Sequence, residues 1–120
     1  MKIRIKGPSV RLRLTQTEVR TFASTGVCVE TTPLPGGLFR YALRTGTDFQ
    51  AHFDGSELAV FVPQELAEHW ANSEEVGMSH VIQLAGGGEV KLLVEKDFAC
   101  LDPNRDEDES DMFPNPNPHC

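Results

Sequence analysis

Residues 2–26 read KIRIKGPSVRLRLTQTEVRTFASTG, and two periodicities meet within them. From Lys2 to Lys6 charged and apolar residues alternate, with Ile3 and Ile5 on one side and Lys2, Arg4 and Lys6 on the other. After Gly7-Pro8-Ser9, Val10, Leu12 and Leu14 oppose Arg11 and Arg13. Successive side chains of a strand point to opposite faces, so this alternation marks two half-buried strands joined by a turn, a hairpin with one basic face. At Thr15 the period changes. Thr15 followed three residues later by Glu18 is a capping box; Val19, Phe22 and Ala23 make an apolar stripe at helical spacing, and Gly26 ends it. Strands near 27–33 and 38–45, joined by Pro35-Gly36-Gly37, complete a strand-strand-helix-strand-strand unit.

The same order then returns. Moved on by 48 residues, the turn at Gly7 falls on Asp54-Gly55-Ser56, while Val10, Leu12 and Leu14 fall on Leu58, Val60 and Val62. Gln16 lands on Gln64, Phe22 on Trp70 and Ala23 on Ala71. Three extra residues, Glu74-Glu75-Val76, change the offset to 51, at which Gly26 meets Gly77, and Phe39, Tyr41 and Leu43 meet Val90, Leu92 and Val94. Gly86-Gly87-Gly88 is then a hairpin turn and no phosphate cradle, because a strand follows it. The pattern predicts one α+β domain over residues 1–101, with pseudo-repeats 1–46 and 47–97. Its two helices are expected on an eight-stranded antiparallel sheet, strongly curved or closed into a barrel. Phe22 and Trp70 are expected beneath equivalent helices.

A chain of 120 residues with 39% hydrophobic and 24% charged residues suits a single globular core. No apolar run spans a bilayer, and the alternating start lacks the continuous apolar stretch of a secretory signal, so a cytoplasmic protein is expected. Cys28, Cys100 and Cys120 are an odd set at no framework spacing, which fits reduced thiols; Cys28 reads as core.

The net charge of −7 hides a division. Residues 1–46 carry eight basic residues against two acidic ones, a balance of +6; residues 47–97 carry two against ten, or −8, and the remainder one against six, or −5. Lys2, Arg4, Lys6, Arg11, Arg13, Arg40 and Arg44 mostly occupy alternate strand positions, which gathers them on one sheet face and makes them the candidate anion-binding residues. The alternative is a solvated face paired with the second repeat's carboxylates.

A duplicated unit of this kind closing into an eight-stranded barrel resembles the triphosphate tunnel, or CYTH, fold. That resemblance implies inward-facing Lys and Arg that bind polyphosphates. The family's opening Glu-x-Glu-x-Lys strand reads Lys2-Ile3-Arg4-Ile5-Lys6 here, so only Lys6 carries over and the glutamates that would help hold a divalent metal are missing. The chain's ending, Lys96-Asp97-Phe98-x-Cys100-Leu101 with Glu107-Asp108-Glu109-x-Asp111-x-Phe113-Pro114-Asn115-Pro116, looks like a small bacterial family of uncharacterised proteins.

Residues 102–120 form an acidic, Pro/Asn-rich tail in which charge repulsion and repeated proline favour solvation. Phe113, between Met112 and Pro114, is the residue suited to dock it on the domain. Cys100, His119 and Cys120 are a candidate set for zinc or another divalent metal, with a carboxylate such as Asp111 as fourth ligand, although their spacing matches no known zinc motif. Catalytic motifs are missing: there is no Gly-x-Ser-x-Gly elbow, Walker loop, dinucleotide fingerprint or His-Glu-x-x-His helix. His52 and His80 are placed to meet inside a barrel. Phe22, Phe39 and Tyr41 read as core, which leaves no stacking platform for nucleic acid on the basic half. Two functions follow as expectations. One is a binding protein that takes a small polyanion or an acidic partner segment on the basic face, with the acidic tail competing. The other is a metal carrier or metal-dependent enzyme using the tail Cys and His.

Overall fold

The computed structural model describes residues 1–99 and 109–114. The elements run β1 (Lys2–Lys6), β2 (Ser9–Leu14), α1 (Gln16–Thr25), β3 (Val27–Leu34), β4 (Gly37–Gly46), β5 (Gln50–Phe53), β6 (Glu57–Pro63), α2 (Gln64–Asn72), β7 (Gly77–Gln83) and β8 (Glu89–Lys96). The capping box forms: the Glu18 N–H donates to Thr15 Oγ1 (3.4 Å) and the Thr15 N–H donates to the Glu18 carboxylate (2.9 Å). At the other end of α1, Gly26 adopts φ +79° and its N–H closes on the Phe22 carbonyl at 2.8 Å. A Cβ there would stand 2.9 Å from Thr45 Oγ1, so conformation and space both call for glycine.

The strands form two sheets, ordered β1-β2-β8-β7 and β3-β4-β6-β5. The outer pairs of each sheet are antiparallel hairpins, whereas the central pairs, β2 with β8 and β4 with β6, are parallel. The expected eight-stranded antiparallel sheet or barrel is therefore corrected to two four-stranded mixed sheets. The cause is the helix inside each unit. It carries the chain from one sheet to the other, so the two hairpins of a unit separate and each pairs with a hairpin of the other unit. Alternation reports which face is buried and is blind to which neighbour completes the ladder.

Exchanging the two units converts one strand order into the other. The registers follow: Ser9 faces Lys91 between β2 and β8, and Glu57 faces Arg40 between β6 and β4, the same positions at the offsets of 48 and 51. The turns obey the same relation, with Lys91 N–H bonded to the Pro8 carbonyl (2.8 Å) and Arg40 N–H to the Ser56 carbonyl (3.1 Å).

The inner faces of both sheets and both helices meet in one core. Leu12, Leu14, Leu92 and Val94 come from the first sheet and Leu43, Val60 and Val62 from the second. Helix α1 adds Val19 and Phe22, and α2 adds Ala67 and Trp70, again at equivalent positions. Cys28 and Tyr41 are buried beside them and Phe39 packs at the margin. This filled apolar interior corrects the implied tunnel, because Arg4, Lys6, Arg11 and Arg13 alternate with the core residues and so occupy the opposite face. His52 and His80 do not meet. His52 alternates with the inward residues of β5 and faces outward opposite Ala59, while His80 stacks on Phe49 (centroids 5.3 Å). Among the described residues, no helix is long and apolar enough to cross a membrane.

Phe113 docks. Residues 109–114 return to the domain, where Phe113 makes a parallel bridge with Phe98, its N–H donating to the Asp97 carbonyl and its carbonyl accepting from Ala99 N–H, both at 2.9 Å. Met112 is buried. Asp111 sits over the first turn of α1: its carboxylate accepts from Thr17 Oγ1 (2.8 Å) and Thr17 N–H (3.2 Å), and its carbonyl accepts from Gln16 N–H (2.8 Å). Hydrogen bonds from the Thr15 and Thr17 side chains hold the Asp111 carboxyl below the usual range, as suits an anion at a helix N-terminus. An acidic stretch that reads as solvated thus contains one residue that finishes a helix cap.

Candidate functional site

The outer face of the first sheet is a grid of cations. Antiparallel pairing of β1 with β2 sets Lys2 opposite Arg13, Arg4 opposite Arg11 and Lys6 opposite Ser9, and parallel pairing with β8 adds Lys91 beside Ser9. Like charges directly opposite one another across a ladder are unfavourable, and here two such pairs stand side by side. The grid is neutralised at one end only. Lys2 Nζ lies 3.0 Å from Asp97 Oδ2, and Glu95 Oε1 lies 3.0 Å from Arg11 Nε and 3.7 Å from Arg13 Nε. Among the described residues, Arg4, Lys6 and Lys91 have no carboxylate partner. Arg4, Lys6, Ser9 and Arg11 line a groove of about 160 Å³. At the sheet's far end Glu89 accepts from Gln83 Nε2 at 3.2 Å.

The second sheet supplies an internal comparison. At the positions equivalent to Arg4, Lys6, Ser9 and Arg11 it carries His52, Asp54, Glu57 and Ala59, and at that of Lys91 it carries Arg40. Arg40 and Arg44, expected with the other basic residues, lie on this second sheet, where Arg40 faces Glu57 in register and Arg44 Nη2 lies 3.4 Å from Glu57 Oε1. The structure thus brings together Lys2, Arg4, Lys6, Arg11 and Arg13 and sets Arg40 and Arg44 apart. Ser9 and Lys91 were not legible as site residues. Lys91 joins the grid only through the parallel pairing, which leaves no trace in the sequence.

A second charged cluster closes the seam between the sheets. The Met1 amino group donates to Glu30 Oε1 at 2.7 Å and to Glu18 Oε2, and the Met1 carbonyl accepts from Tyr41 Oη at 2.7 Å. Burial alone would lower the amine, but the hydrogen bonds and charges of Glu18 and Glu30 outweigh it and raise it above its ordinary value. Burial likewise pushes Glu18 up, and its bonds to the amine and to Thr15 outweigh that, leaving it lowered. Nearby, burial pushes Cys28 up to about 11, which favours the protonated thiol at neutral pH. Lys96 continues the inner row of β8 and is buried; Nζ donates to the Ser73 carbonyl (2.7 Å) and lies over the rings of Trp70 and Phe113. Burial pulls its ammonium down, with Glu75 and Glu74 acting the other way.

No group of three or more His, Cys, Asp or Glu side chains among the described residues is arranged to hold a metal. The proposed set Cys100, His119 and Cys120 lies outside the described residues.

The chain belongs to DUF7009, a family of unknown function. The family model matches residues 1–117, which spans the domain and nearly all of the tail, in keeping with the chain's distinctive ending. No curated protein and no solved structure matches the chain.

Proposed function

We propose that this protein binds a small multivalent anion of the polyphosphate type on the outer face of the sheet β1-β2-β8-β7. Arg4, Lys6, Arg11 and Lys91 supply the charge and Ser9 a hydroxyl donor, while Lys2 and Arg13 form the rim. The observation that carries this reading is the Arg4–Arg11 juxtaposition across the strand pair, with no carboxylate beside Arg4 among the described residues. Like charges directly opposite one another are unfavourable, an imbalance that Glu95 offsets at Arg11 but not at Arg4, and an anion that bridges the two arginines makes the juxtaposition favourable. The fold itself does not require these residues, since the equivalent face of the other sheet is built from His52, Ala59 and Asp54. We infer further that the two units are copies of one ancestral strand-strand-helix-strand-strand unit, which diverged at this face.

Isothermal titration of the full chain with inorganic tripolyphosphate at low ionic strength tests the proposal. Saturable binding that vanishes in the Arg4→Glu, Arg11→Glu double variant is expected, and it should weaken as salt approaches the physiological range, where the Debye length is about 8 Å. Binding left intact by the double variant would sink the assignment.

A further inference from the structure

We propose that the docked tail regulates the anion site through the Lys2–Asp97 ion pair, an inference that rests on the reading of the basic face just given. Three observations converge on these two residues. Asp97 is 4% exposed, its backbone N–H is bonded to the Leu14 carbonyl and its own carbonyl accepts from Phe113 N–H, so the tail is anchored on it directly. The Asp97 side chain turns toward the domain's start, with Oδ2 3.0 Å from Lys2 Nζ. Lys2, Asp97, Asp111 and Met112 all line one cavity of about 530 Å³ beside the N-terminus of α1.

A buried carboxylate needs its cation. Asp97 is buried where the tail meets the domain, with the Phe113 N–H on its carbonyl and Met112 lining the same cavity, and its carboxylate holds the ammonium of Lys2. Yet Lys2 is also the first residue of the basic row, one alternate position from Arg4 and directly across from Arg13. An anion at Arg4 and Arg11 competes for Lys2, and while the tail is docked, releasing Lys2 strands a buried charge. When the tail leaves, water reaches Asp97, its hold on Lys2 weakens, and Lys2 can turn to the anion. Asp111 reinforces the same sign, because docking brings its negative charge into the cavity that Lys2 lines. The tail therefore lowers anion affinity without occupying the anion groove. By linkage, the anion must weaken tail docking by the same factor.

The test keeps the full chain. Asp111→Ala with Phe113→Ala removes the carboxylate on Thr17 and one aromatic anchor, and Asp97→Asn removes the charge that Asp97 sets against Lys2 while leaving the tail's backbone bonds in place. Tripolyphosphate affinity is expected to rise about fivefold or more in both, within the usual span of coupling between sites. In a Lys2→Met background the tail variant is expected to change affinity by less than about twofold, a result that general loosening of the fold would not produce. Reciprocally, saturating tripolyphosphate should speed hydrogen exchange at the Phe113 and Gln16 amides of the wild-type chain. Equal affinities for the wild type, the tail variant and Asp97→Asn would overturn the coupling and leave the anion site standing. No binding in any of them would remove both.

Discussion

Phe22 and Trp70 meet edge to face in the centre of the protein, with ring centroids 6.4 Å apart and planes at 65°. They stand 48 residues apart, each the seventh residue of its helix, so the contact joins matching positions of α1 and α2. Both side chains are fully buried, and the Trp70 indole N–H donates to the Val76 carbonyl at 3.1 Å, fixing the loop that leads into β7. Each helix thus covers its own end of the core and also braces the other helix.

Trp70→Ala is expected to destabilise the domain by about 3–5 kcal/mol, the usual range for deleting a large aromatic from a core. Chemical denaturation measures it. A midpoint close to the wild type would mean that Trp70 is not the anchor of α2.

Gly77→Ala should also destabilise, for a different reason. Gly77 crosses β8 so closely that a Cβ would stand 2.9 Å from the Val94 carbonyl oxygen and 2.9 Å from Glu95 Cγ. The backbone contact cannot be relieved by a rotamer change, so a loss of about 1–3 kcal/mol is expected, as for other overpacked sites. Gly86→Ala, with nothing within 4 Å of its Cβ position, serves as the control and should change stability little.

The seam between Met1, Glu18 and Glu30 makes stability pH-dependent with a defined sign. Glu18 is lowered from its ordinary 4.5, so its contribution is present above that value and is lost as the pH falls through the lowered one. The Met1 amine is raised from 8.0, so its contribution is complete below 8.0 and is lost as the pH rises through the raised value. A stability plateau between about pH 4.5 and 8.0 is expected from this pair, and Glu18→Gln should flatten both shoulders. Unchanged shoulders in Glu18→Gln would assign them to other groups.

The strands, helix caps and core stripe were legible because each depends on local periodicity: alternation for β1 and β2, Thr15 with Glu18 for the cap, and the spacing of Val19 and Phe22 for the buried side of α1. The sheets were not. Whether the second neighbour of β2 is β8, in parallel, or a strand of its own unit's second hairpin depends on where α1 delivers the chain, and no residue of β2 records that. The basic grid was half visible for the same reason. Lys2, Arg4, Lys6, Arg11 and Arg13 follow from one hairpin, whereas Lys91 reaches Ser9 only through tertiary pairing, and Arg40 and Arg44 are separated from the rest by it. The docking of residues 109–114 was signalled by the apolar Phe113 in a charged run. Asp111 as a helix cap carried no signal, since one aspartate in an acidic stretch looks like any other.

The matching strand order of the two sheets supplies the most direct measurement. Backbone amide shifts of the full chain, followed by NMR as tripolyphosphate is added, report on both outer faces in one sample. Saturable shifts are predicted at Arg4, Lys6, Ser9, Arg11 and Lys91, with the equivalent residues His52, Asp54, Glu57, Ala59 and Arg40 unmoved. Shifts of equal size on both faces, or none on the first, would contradict the assignment of the Arg4–Arg11 face as the binding site.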